Sequence, residues 1–388
     1  MSATLFTNAR VITPNGIYPG EVLVRDDRIE KLALMGTLNE SADRILDIQG
    51  KYLSPGFIDI HTHGAGGYDF MDSVDSIYNA CRCHMRHGTT TILPTTVTGS
   101  RQELLDYVEM FNQVETEKPG YPTIHGLHLE GPYFAQSQAG AQNPAYLRNP
   151  DPEEYEMVLK RTERIARWSY AIELPGSQKF LSRLREERIV TSLAHSDATC
   201  EEVFRAYENG LTCLTHFYSG MNTVRRVNAY RVAGAIEAGY LLDDLYVEVI
   251  ADGCHLPAQL LQLIYKVKGP ERICLVTDSM SATGMPDGEY VLGGLPVIKE
   301  DGVAKLMDRS SFAGSVATAD RLVRTFQALT DAPLYQVVKM ISLTPARMLG
   351  IDGKTGSIAE GKRADLVVFD EDIQVSCVMV RGELIVTE

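Results

Sequence analysis

The sequence has no excess of positive charge, no regular cysteine pattern and no long apolar run. Its 37 Lys and Arg residues are outnumbered by 51 Asp and Glu residues, so the formal net charge is −14. A surface this acidic argues against nucleic acid and anionic membranes as partners. The seven cysteines are irregularly spaced, which predicts no disulfide framework and a reducing compartment. No run of about 18 apolar residues is present, so we expect no transmembrane helix.

A secretory signal, internal repeats and low-complexity segments are absent as well. The first residues, MSATLFTNARVITPNG, show no basic region followed by an apolar one, and we therefore expect a cytoplasmic protein. The remaining composition, with 44% hydrophobic and 23% charged residues, is typical of a folded globular protein. A chain of 388 residues can form a (β/α)₈ barrel with a small second domain.

Both ends of the chain are rich in short β-forming segments separated by turn signals. These segments are 5–14, 20–34, 45–53, 356–370 and 376–388. They predict that residues 1–53 and 350–388 together form one small β-sandwich domain built from both termini.

Residues 54–349 alternate between strand-like and helix-like segments. The candidate strands are 57–63, 89–96, 123–130, 169–174, 190–195, 212–217, 246–252 and 273–278. The candidate helices between them include 101–114, 178–188, 201–210 and 257–269. Strands alternating with helices in this way predict an α/β fold, a TIM-like (β/α)₈ barrel that spans 54–349.

Metal-competent side chains occur at the predicted carboxyl ends of these strands, which is the face of a barrel that carries chemistry. They are His61, His63, Glu130, His195, His216 and Asp278. His61 and His63 are two apart on one strand, so both imidazoles face the same side and can bind a divalent cation together. Glu130 with the two later histidines forms a set of three ligands that leaves a position open for water, as in catalytic metal sites.

Asp278 ends the eighth predicted strand, and His255 follows the seventh. Asp278 could be a further metal ligand, or it could take a proton from a metal-activated water and pass it to a leaving amine. His255 lies at the same rim, where we expect it to contact substrate.

The other histidines are expected to have structural or supporting roles and not to bind metal. The motif C-x-C-H-x-x-H at 81–87 lies in a stretch that favours one helix, and its spacing matches no standard zinc motif. His128 shares a strand face with Glu130 and is expected to support the ligands, whereas His125 faces the other way and is expected to be structural.

Seven motifs, taken in order, carry a family resemblance. They are PGFIDIHTHGAGG (55–67), HLEGPYF (128–134), AHSDA (194–198), THFYSGM (215–221), ADGCH (251–255), LVTDSMSATG (275–284) and FAGSVATAD (312–320). Each motif alone is weak, whereas the ordered set is specific. With the β-rich termini, the whole chain resembles the N-acetylglucosamine-6-phosphate deacetylases of the amidohydrolase superfamily.

The resemblance implies a role for each matching residue. One metal ion would be held by a carboxylate and two imidazoles, here Glu130, His195 and His216. In members with two ions, the second would be held by a histidine pair, here His61 and His63. Asp278 would act as general base and then as general acid, and His255 would bind the substrate and orient its amide. The sugar pocket would be lined by Ala141, Phe312, Ala313 and Gly314.

The sequence departs from the family pattern in the sugar-phosphate pocket. Where the family has Gly-Ala-His, this chain has Gln142 in the third position, and where it has Asn-Ala, this chain has Ser219 and Gly220. The family's R-E-P-G run supplies an arginine to the neighbouring subunit's phosphate site. Here that run is replaced by VRRVNAYRVAG, in which the candidate arginines are Arg225, Arg226 and Arg231.

The resemblance therefore implies hydrolysis of the acetamide of N-acetylglucosamine-6-phosphate, a small-molecule substrate, by a homodimer. The cofactor would be one or two divalent metal ions per subunit, zinc first and iron, cobalt or manganese otherwise. The altered pocket leaves N-acetylgalactosamine-6-phosphate or another acetamido sugar as an alternative substrate.

Two further alternatives change the class of protein. A cyclic-amide hydrolase would use a carbamylated lysine at the end of strand four, and the predicted strand ends in IELPG without one. A non-catalytic sugar-binding relative would be expected to have lost ligands or the proton carrier, and this chain retains all of them.

Overall fold

A computed structural model describes residues 2–38 and 40–386 of the chain. Its strands are β1 (Ala3–Thr13), β2 (Gly16–Arg25), β3 (Arg28–Leu34), β4 (Arg44–Asp47), β5 (Tyr52–Pro55), β6 (Phe57–Thr62), β7 (Gly64–Ala65), β8 (Tyr68–Asp69), β9 (Thr89–Pro94), β10 (Thr123–Ile124), β11 (Leu127–Glu130), β12 (Ile165–Tyr170), β13 (Val190–Leu193), β14 (Cys213–Leu214), β15 (Arg225–Val227), β16 (Tyr230–Val232), β17 (Tyr246–Val249), β18 (Ile273–Leu275), β19 (Gly288–Leu292), β20 (Leu295–Glu300), β21 (Val303–Leu306), β22 (Leu366–Phe369), β23 (Val375–Val380) and β24 (Glu383–Val386).

The helices are α1 (Val74–Arg86), α2 (Arg101–Phe111), α3 (Pro152–Arg161), α4 (Ser177–Glu186), α5 (Cys200–Glu208), α6 (Ala235–Leu241), α7 (Ala258–Lys268), α8 (Ala319–Leu329), α9 (Leu334–Met340) and α10 (Leu343–Met348). The four helices predicted by range correspond to α2, α4, α5 and α7. Local chemistry fixes several helix starts: Ser100 with Glu103, and Thr199 with Glu202, form capping boxes at α2 and α5. None of the helices within the described residues is both long and apolar enough to cross a membrane.

The two ends of the chain meet in one sheet. Its strand order is β24-β23-β22-β5-β1-β2-β3, with β4 paired to β1. The C-terminal strand β22 pairs antiparallel with β5, which itself runs parallel to β1. Strands from both termini therefore share one sheet, which places the start of β6 beside it.

The middle of the chain forms parallel sheets covered by helices. One sheet has the order β10-β9-β6 and the other β11-β12-β13-β14-β17-β18, and all their pairings are parallel. A parallel bridge between Thr95 and His128 joins the two sheets at one side. At the other side the Asp278 N–H donates to the His61 carbonyl at 2.9 Å. The helices bury their apolar faces on these strands, as Phe180, Leu181 and Leu184 of α4 do.

The prediction for the fourth parallel strand is wrong by about four residues. The strand is β12, Ile165–Tyr170, and not 169–174, because Ala171 and the residues after it turn away toward α4. The segment contains Arg167, a residue type that argues against a buried strand. Arg167 is nevertheless fully buried, since Glu248 of β17 pairs with it. Neither β12 nor the four residues after it contains a lysine, which argues against the carbamylated-lysine alternative.

Three β elements were not predicted, and the first is the short hairpin β7–β8 directly after β6. The hairpin β15–β16 projects between β14 and α6, and residues Arg225–Val227 and Tyr230 are exposed. The small antiparallel sheet β19-β20-β21 follows β18. Its Leu292 lies at the cavity described below, so this insertion forms part of the cavity wall.

Candidate active site

The six predicted metal-competent residues converge at the carboxyl ends of the parallel strands. His61 lies in β6, Glu130 ends β11, and the others follow β6, β13, β14 and β18 within one to three residues. All six are buried: His61, His63, Glu130, His195, His216 and Asp278. Parallel strands bring these ends to one edge, which is why residues far apart in sequence meet there.

Three of these residues have a left-handed backbone conformation. The φ angles are 45° at His195, 31° at His216 and 46° at Asp278. This conformation costs about 1–2 kcal/mol for a residue other than glycine, and such strain is concentrated at functional sites. Each of the three turns its chain sharply at a strand end, where its side chain joins the cluster.

One group of ligand atoms consists of Glu130, His195 and His216. Glu130 Oε1 lies 3.3 Å from His195 Nε2 and 3.2 Å from His216 Nε2. The two Nε2 atoms are 3.2 Å apart. Ligands of a tetrahedral zinc ion at about 2.05 Å lie roughly 3.3 Å from one another. The three atoms are therefore spaced as ligands of one ion.

A second group shares Glu130 and adds the histidine pair. Nε2 of His63 lies 3.4 Å from Glu130 Oε2, and Nε2 of His61 lies 3.7 Å from Glu130 Oε1. Asp278 Oδ1 lies 3.1 Å from His63 Nε2 and 3.4 Å from His61 Nε2. His61 Nε2 is buried without a hydrogen-bond partner in the part of the chain that the structure describes. A cation would satisfy that atom, so these residues also fit a metal site.

Backbone carbonyls orient the imidazoles of the first group. His195 Nδ1 donates to the Gln138 carbonyl at 2.7 Å, and His216 Nδ1 donates to the Ser219 carbonyl at 3.1 Å. A carbonyl only accepts hydrogen bonds, so each Nδ1 carries the proton and each Nε2 keeps a lone pair for a metal.

The carboxylates of the cluster are held in the ionised form. Burial alone would raise the pKa of Glu130, but the neighbouring imidazoles, with His61 first among them, hold it well below the usual range. Burial likewise opposes ionisation of Asp278, and the imidazoles of His61 and His63 lower its pKa. Ionised carboxylates are the form required both of a metal ligand and of a general base.

These residues open onto a cavity of about 200 Å³. Most of the predicted pocket residues line it: Ala141, Gln142, Ser219, Gly220, His255, Phe312 and Gly314. Ala313 is fully buried behind this surface. A hollow of about 870 Å³ is lined in part by Tyr290 and Val291 of β19, but its lining contains neither candidate ligand group. The smaller cavity is therefore the candidate active site.

Gln142 lines this cavity, but its amide is engaged by a ligand carboxylate. Its Nε2 donates to Glu130 Oε2 at 2.7 Å, and its Oε1 accepts the Thr98 N–H at 2.8 Å. The side chain thus fixes the orientation of the shared carboxylate.

His255 is oriented by a carboxylate and an aromatic ring at the cavity wall. Asp252 Oδ2 lies 2.8 Å from His255 Nδ1, and Asp252 Oδ1 accepts the His255 N–H at 2.9 Å. The ring centroids of His255 and Phe312 are 4.7 Å apart. Phe312 remains 39% exposed, which leaves an apolar surface for a ligand beside the imidazole.

Two glycines allow close backbone approach to the cluster. At Gly220 a Cβ would lie 3.0 Å from His195 Nδ1, and at Gly314 it would lie 2.8 Å from the Asp278 carbonyl oxygen. Both glycines have positive φ angles, 58° and 66°, which other residues rarely adopt. Larger residues at these positions would displace a candidate ligand and the candidate proton carrier.

The three candidate phosphate-binding arginines lie outside this cavity. Arg225, Arg226 and Arg231 are exposed on the β15–β16 hairpin and do not contribute to the cavity lining. The structure of one chain therefore does not bring them to the candidate ligands.

The segment 81–87 packs as predicted. It covers the last residues of α1 and the C-cap residue His87, and His84 is fully buried with Nε2 3.1 Å from Thr62 Oγ1. Burial lowers the pKa of His84 to about 4, so it is neutral. Among the described residues, the only groups of potential metal ligands found are the two that share Glu130.

Sequence reasoning missed a buried polar network beneath the ligands. Glu248 Oε2 lies 3.0 Å from His61 Nδ1, and Arg167 pairs with the same carboxylate. His128, which was expected to support the ligands, lies between Thr95 Oγ1 and Ser169 Oγ. A single glutamate in the otherwise apolar strand β17 was the available signal for this network.

A parallel α/β fold with clustered histidine and carboxylate ligands at its strand ends is the arrangement of a metal-dependent hydrolase. The model of the amidohydrolase family matches residues 52–385, and the chain belongs to that family.

Similar proteins cover nearly the whole chain. An N-acetylglucosamine-6-phosphate deacetylase from Lysinibacillus sphaericus is 32% identical over 93% of this chain and 94% of its own length. An N-acetylgalactosamine-6-phosphate deacetylase from Escherichia coli O157:H7 is 33% identical over 88% of this chain and 89% of its own. The structure of a mutant N-acetyl-D-glucosamine-6-phosphate deacetylase from Mycobacterium smegmatis, in complex with N-acetyl-D-glucosamine-6-phosphate, superposes with a TM-score of 0.92 at 33% identity and covers both chains completely. The resemblance inferred from the motifs is thereby confirmed.

Proposed function

We propose that this protein hydrolyses the acetamide of N-acetylglucosamine-6-phosphate to glucosamine-6-phosphate and acetate. The observation that carries the proposal is the convergence of Glu130, His195 and His216 beside Asp278 in one cavity, at distances that suit a single ion. The family is one of metal-dependent hydrolases, and its relatives named above are amino-sugar-phosphate deacetylases.

The fold that carries this site is, in our proposal, a (β/α)₈ barrel formed by the two parallel sheets across residues 54–349. The bridge at Thr95 and the hydrogen bond to the His61 carbonyl support closure at both sides. Residues 1–53 and 350–388 would form the small β-sandwich domain, and the shared terminal sheet supports that division.

The cofactor in this proposal is zinc at the site of Glu130, His195 and His216, with an accessory second ion at His61 and His63. A divalent cation bound there supplies Lewis-acid activation of water and of the acyl oxygen. Imidazole and carboxylate donors also suit iron, cobalt and manganese, and the supply in the cell decides among them.

Asp278 moves the proton in the proposed reaction. Its carboxylate accepts a proton from the attacking water as the water oxygen bonds to the acyl carbon. It then delivers that proton to the sugar nitrogen, because an amine anion is too basic to leave unprotonated. Its contacts with two imidazoles keep it in the carboxylate form needed for the first step.

His255 orients the scissile amide. Asp252 holds its Nδ1 in the protonated state, which directs Nε2 toward the substrate. A proton carried on Nε2 would be donated to the acyl oxygen as negative charge develops there, an interaction of the oxyanion-hole type. The exposed ring of Phe312 packs on the sugar beside it.

Acetate release from a panel of acetamido sugars tests the proposed substrate. We expect turnover of N-acetylglucosamine-6-phosphate with kcat/KM well above that of unphosphorylated N-acetylglucosamine, since a phosphate offers strong charged hydrogen bonds. Equal turnover of both sugars would contradict a phosphate site. N-Acetylgalactosamine-6-phosphate belongs in the panel, because one similar protein is named for that sugar and because Ser219 and Gly220 alter the pocket.

The phosphate contact is proposed to come from the hairpin of a neighbouring subunit in a homodimer. Tyr230 of the hairpin is 78% exposed, and its arginines lie outside their own cavity. Removing the relevant one, by Arg225→Ala, Arg226→Ala or Arg231→Ala, should raise KM for the phosphorylated sugar. A charged hydrogen bond worth about 1.5–3 kcal/mol corresponds to about a 10- to 150-fold change.

Mixed dimers distinguish an arginine acting within its own subunit from one supplied by a partner. The variant lacking the hairpin arginine is mixed with Asp278→Asn. In a mixed dimer, one site then combines an intact Asp278 with the arginine of the other subunit, and that site should recover activity. Arg161→Ala, which removes an exposed arginine at the end of α3, should leave KM unchanged. If mixing restores nothing although mixed dimers form, the arginine does not act across the interface.

A further inference from the structure

A buried ion pair lies beneath the candidate ligands and has no part in the proposed proton transfer. Glu248 of β17 and Arg167 of β12 are both fully buried. Arg167 Nη1 donates to Glu248 Oε1, and Nη2 donates to Ser192 Oγ at 2.9 Å and Thr215 Oγ1 at 2.8 Å. Because arginine stays protonated inside proteins, its partner is a carboxylate that only accepts hydrogen bonds.

The second oxygen of Glu248 contacts both groups of candidate ligands. Oε2 lies 3.0 Å from His61 Nδ1 and accepts the backbone N–H of His216 at 3.1 Å. A carboxylate acceptor requires His61 Nδ1 to be the donor, so Nε2 keeps its lone pair on the side of Glu130 and Asp278. This is the nitrogen that has no hydrogen-bond partner among the residues described.

The hydrogen-bond acceptor at Nδ1 distinguishes His61 from the other candidate histidine ligands. His195 and His216 donate from Nδ1 to neutral carbonyls, and His63 Nδ1 is buried without a partner in the described part of the chain. A carboxylate acceptor makes an imidazole a more basic ligand and fixes its ring orientation. The His61–His63 site thus depends on one oriented ligand and one that no hydrogen bond orients.

We propose that Glu248 is a positioning residue that holds His61 as an Nε2 ligand and so determines whether the His61–His63 site binds a second divalent cation. Arg167 neutralises Glu248 and fixes its orientation through contacts with β13 and the residue after β14. The inference rests on the proposed metal-dependent function. It goes beyond that function because it assigns occupancy of the second site to residues that touch neither metal nor substrate.

Titration of metal-free protein with Co²⁺, followed by its visible absorption and by a competing chelator, tests the proposal. Wild-type protein should bind two ions per subunit. Glu248→Gln should weaken the second by about 10- to 100-fold, the usual effect of losing such a partner, and should change the first far less. Equal weakening of both ions, or no change in either, would overturn the proposal by showing that Glu248 is only structural or is dispensable.

Two further variants keep the test decisive. Glu248→Gln leaves Arg167 as an unpaired buried charge, which can unfold a protein. The double variant Glu248→Gln/Arg167→Met removes both charges and should show the same selective loss. Ser192→Ala removes one acceptor of Arg167 without touching His61, and both Co²⁺ affinities should stay at the wild-type values.

The wild-type stoichiometry separates this inference from the proposed function. One ion per subunit at saturation, with the deacetylase activity intact, would overturn the inference and leave the function standing. Wild-type protein that binds no ion would overturn the proposed function and the inference with it.

Discussion

Asp278→Asn is expected to lower kcat by at least about 10²–10⁴-fold, the usual contribution of general acid–base catalysis. The amide has nearly the same shape as the carboxylate but cannot carry the proton from water to the leaving nitrogen. The ion held by Glu130, His195 and His216 should remain, since their ligand atoms lie within about 3.3 Å of one another without Asp278. Steady-state kinetics and elemental analysis of the same preparation measure both quantities.

A matched control is Asp320→Asn, which alters another buried aspartate, bonded to Thr318 and paired with His87 away from the cavity. Its kcat should stay near the wild-type value. Near-normal kcat in Asp278→Asn would assign the proton transfer to another residue. Joint loss of metal and activity would instead make Asp278 chiefly a ligand.

His195→Ala and His216→Ala are each expected to bring bound metal close to zero and to abolish turnover. Each substitution removes one of three ligands, and two remaining ligands cannot hold a catalytic zinc ion against a chelator. His61→Ala should be milder if the second ion is accessory, and comparably severe if two ions are required. Elemental analysis after dialysis against a chelator gives the metal content of each variant.

His125→Ala controls for the loss of a histidine as such. His125 precedes the strand that ends at Glu130, but its side chain is exposed and belongs to neither ligand group. It should keep full metal content and activity. Full metal content in His195→Ala and His216→Ala as well would refute the assignment of the main site.

The positions of the candidate ligands could be predicted because local sequence determines where buried strands end. His61, Glu130 and Asp278 follow or end apolar segments, and parallel strands of an α/β fold have their carboxyl ends at one edge. The period of two along β6 likewise predicted that His61 and His63 share a face, and their Nε2 atoms both lie beside Asp278. The motif order was enough to predict the family.

The location of the fourth strand depends on tertiary structure. Local sequence argues against a buried strand at 165–170, because a fully buried arginine is favourable only when a charged partner compensates its desolvation. That partner, Glu248, lies 81 residues further along the chain, so no local pattern could reveal the pair.

The sequence by itself determined the ligand types, the order of the strands and the hydrolytic chemistry, because these depend on residue identity and on short-range periodicity. Only the tertiary structure decided which residues orient the candidate ligands and which residues surround the cavity. It brought Gln142 into hydrogen-bond contact with Glu130, and Glu248 into hydrogen-bond contact with His61. It also positioned the β15–β16 arginines outside the cavity of their own chain. Such contacts are fixed by the packing of strands and loops distant in sequence, and the free energy of each depends on burial and geometry that exist only once the chain has folded.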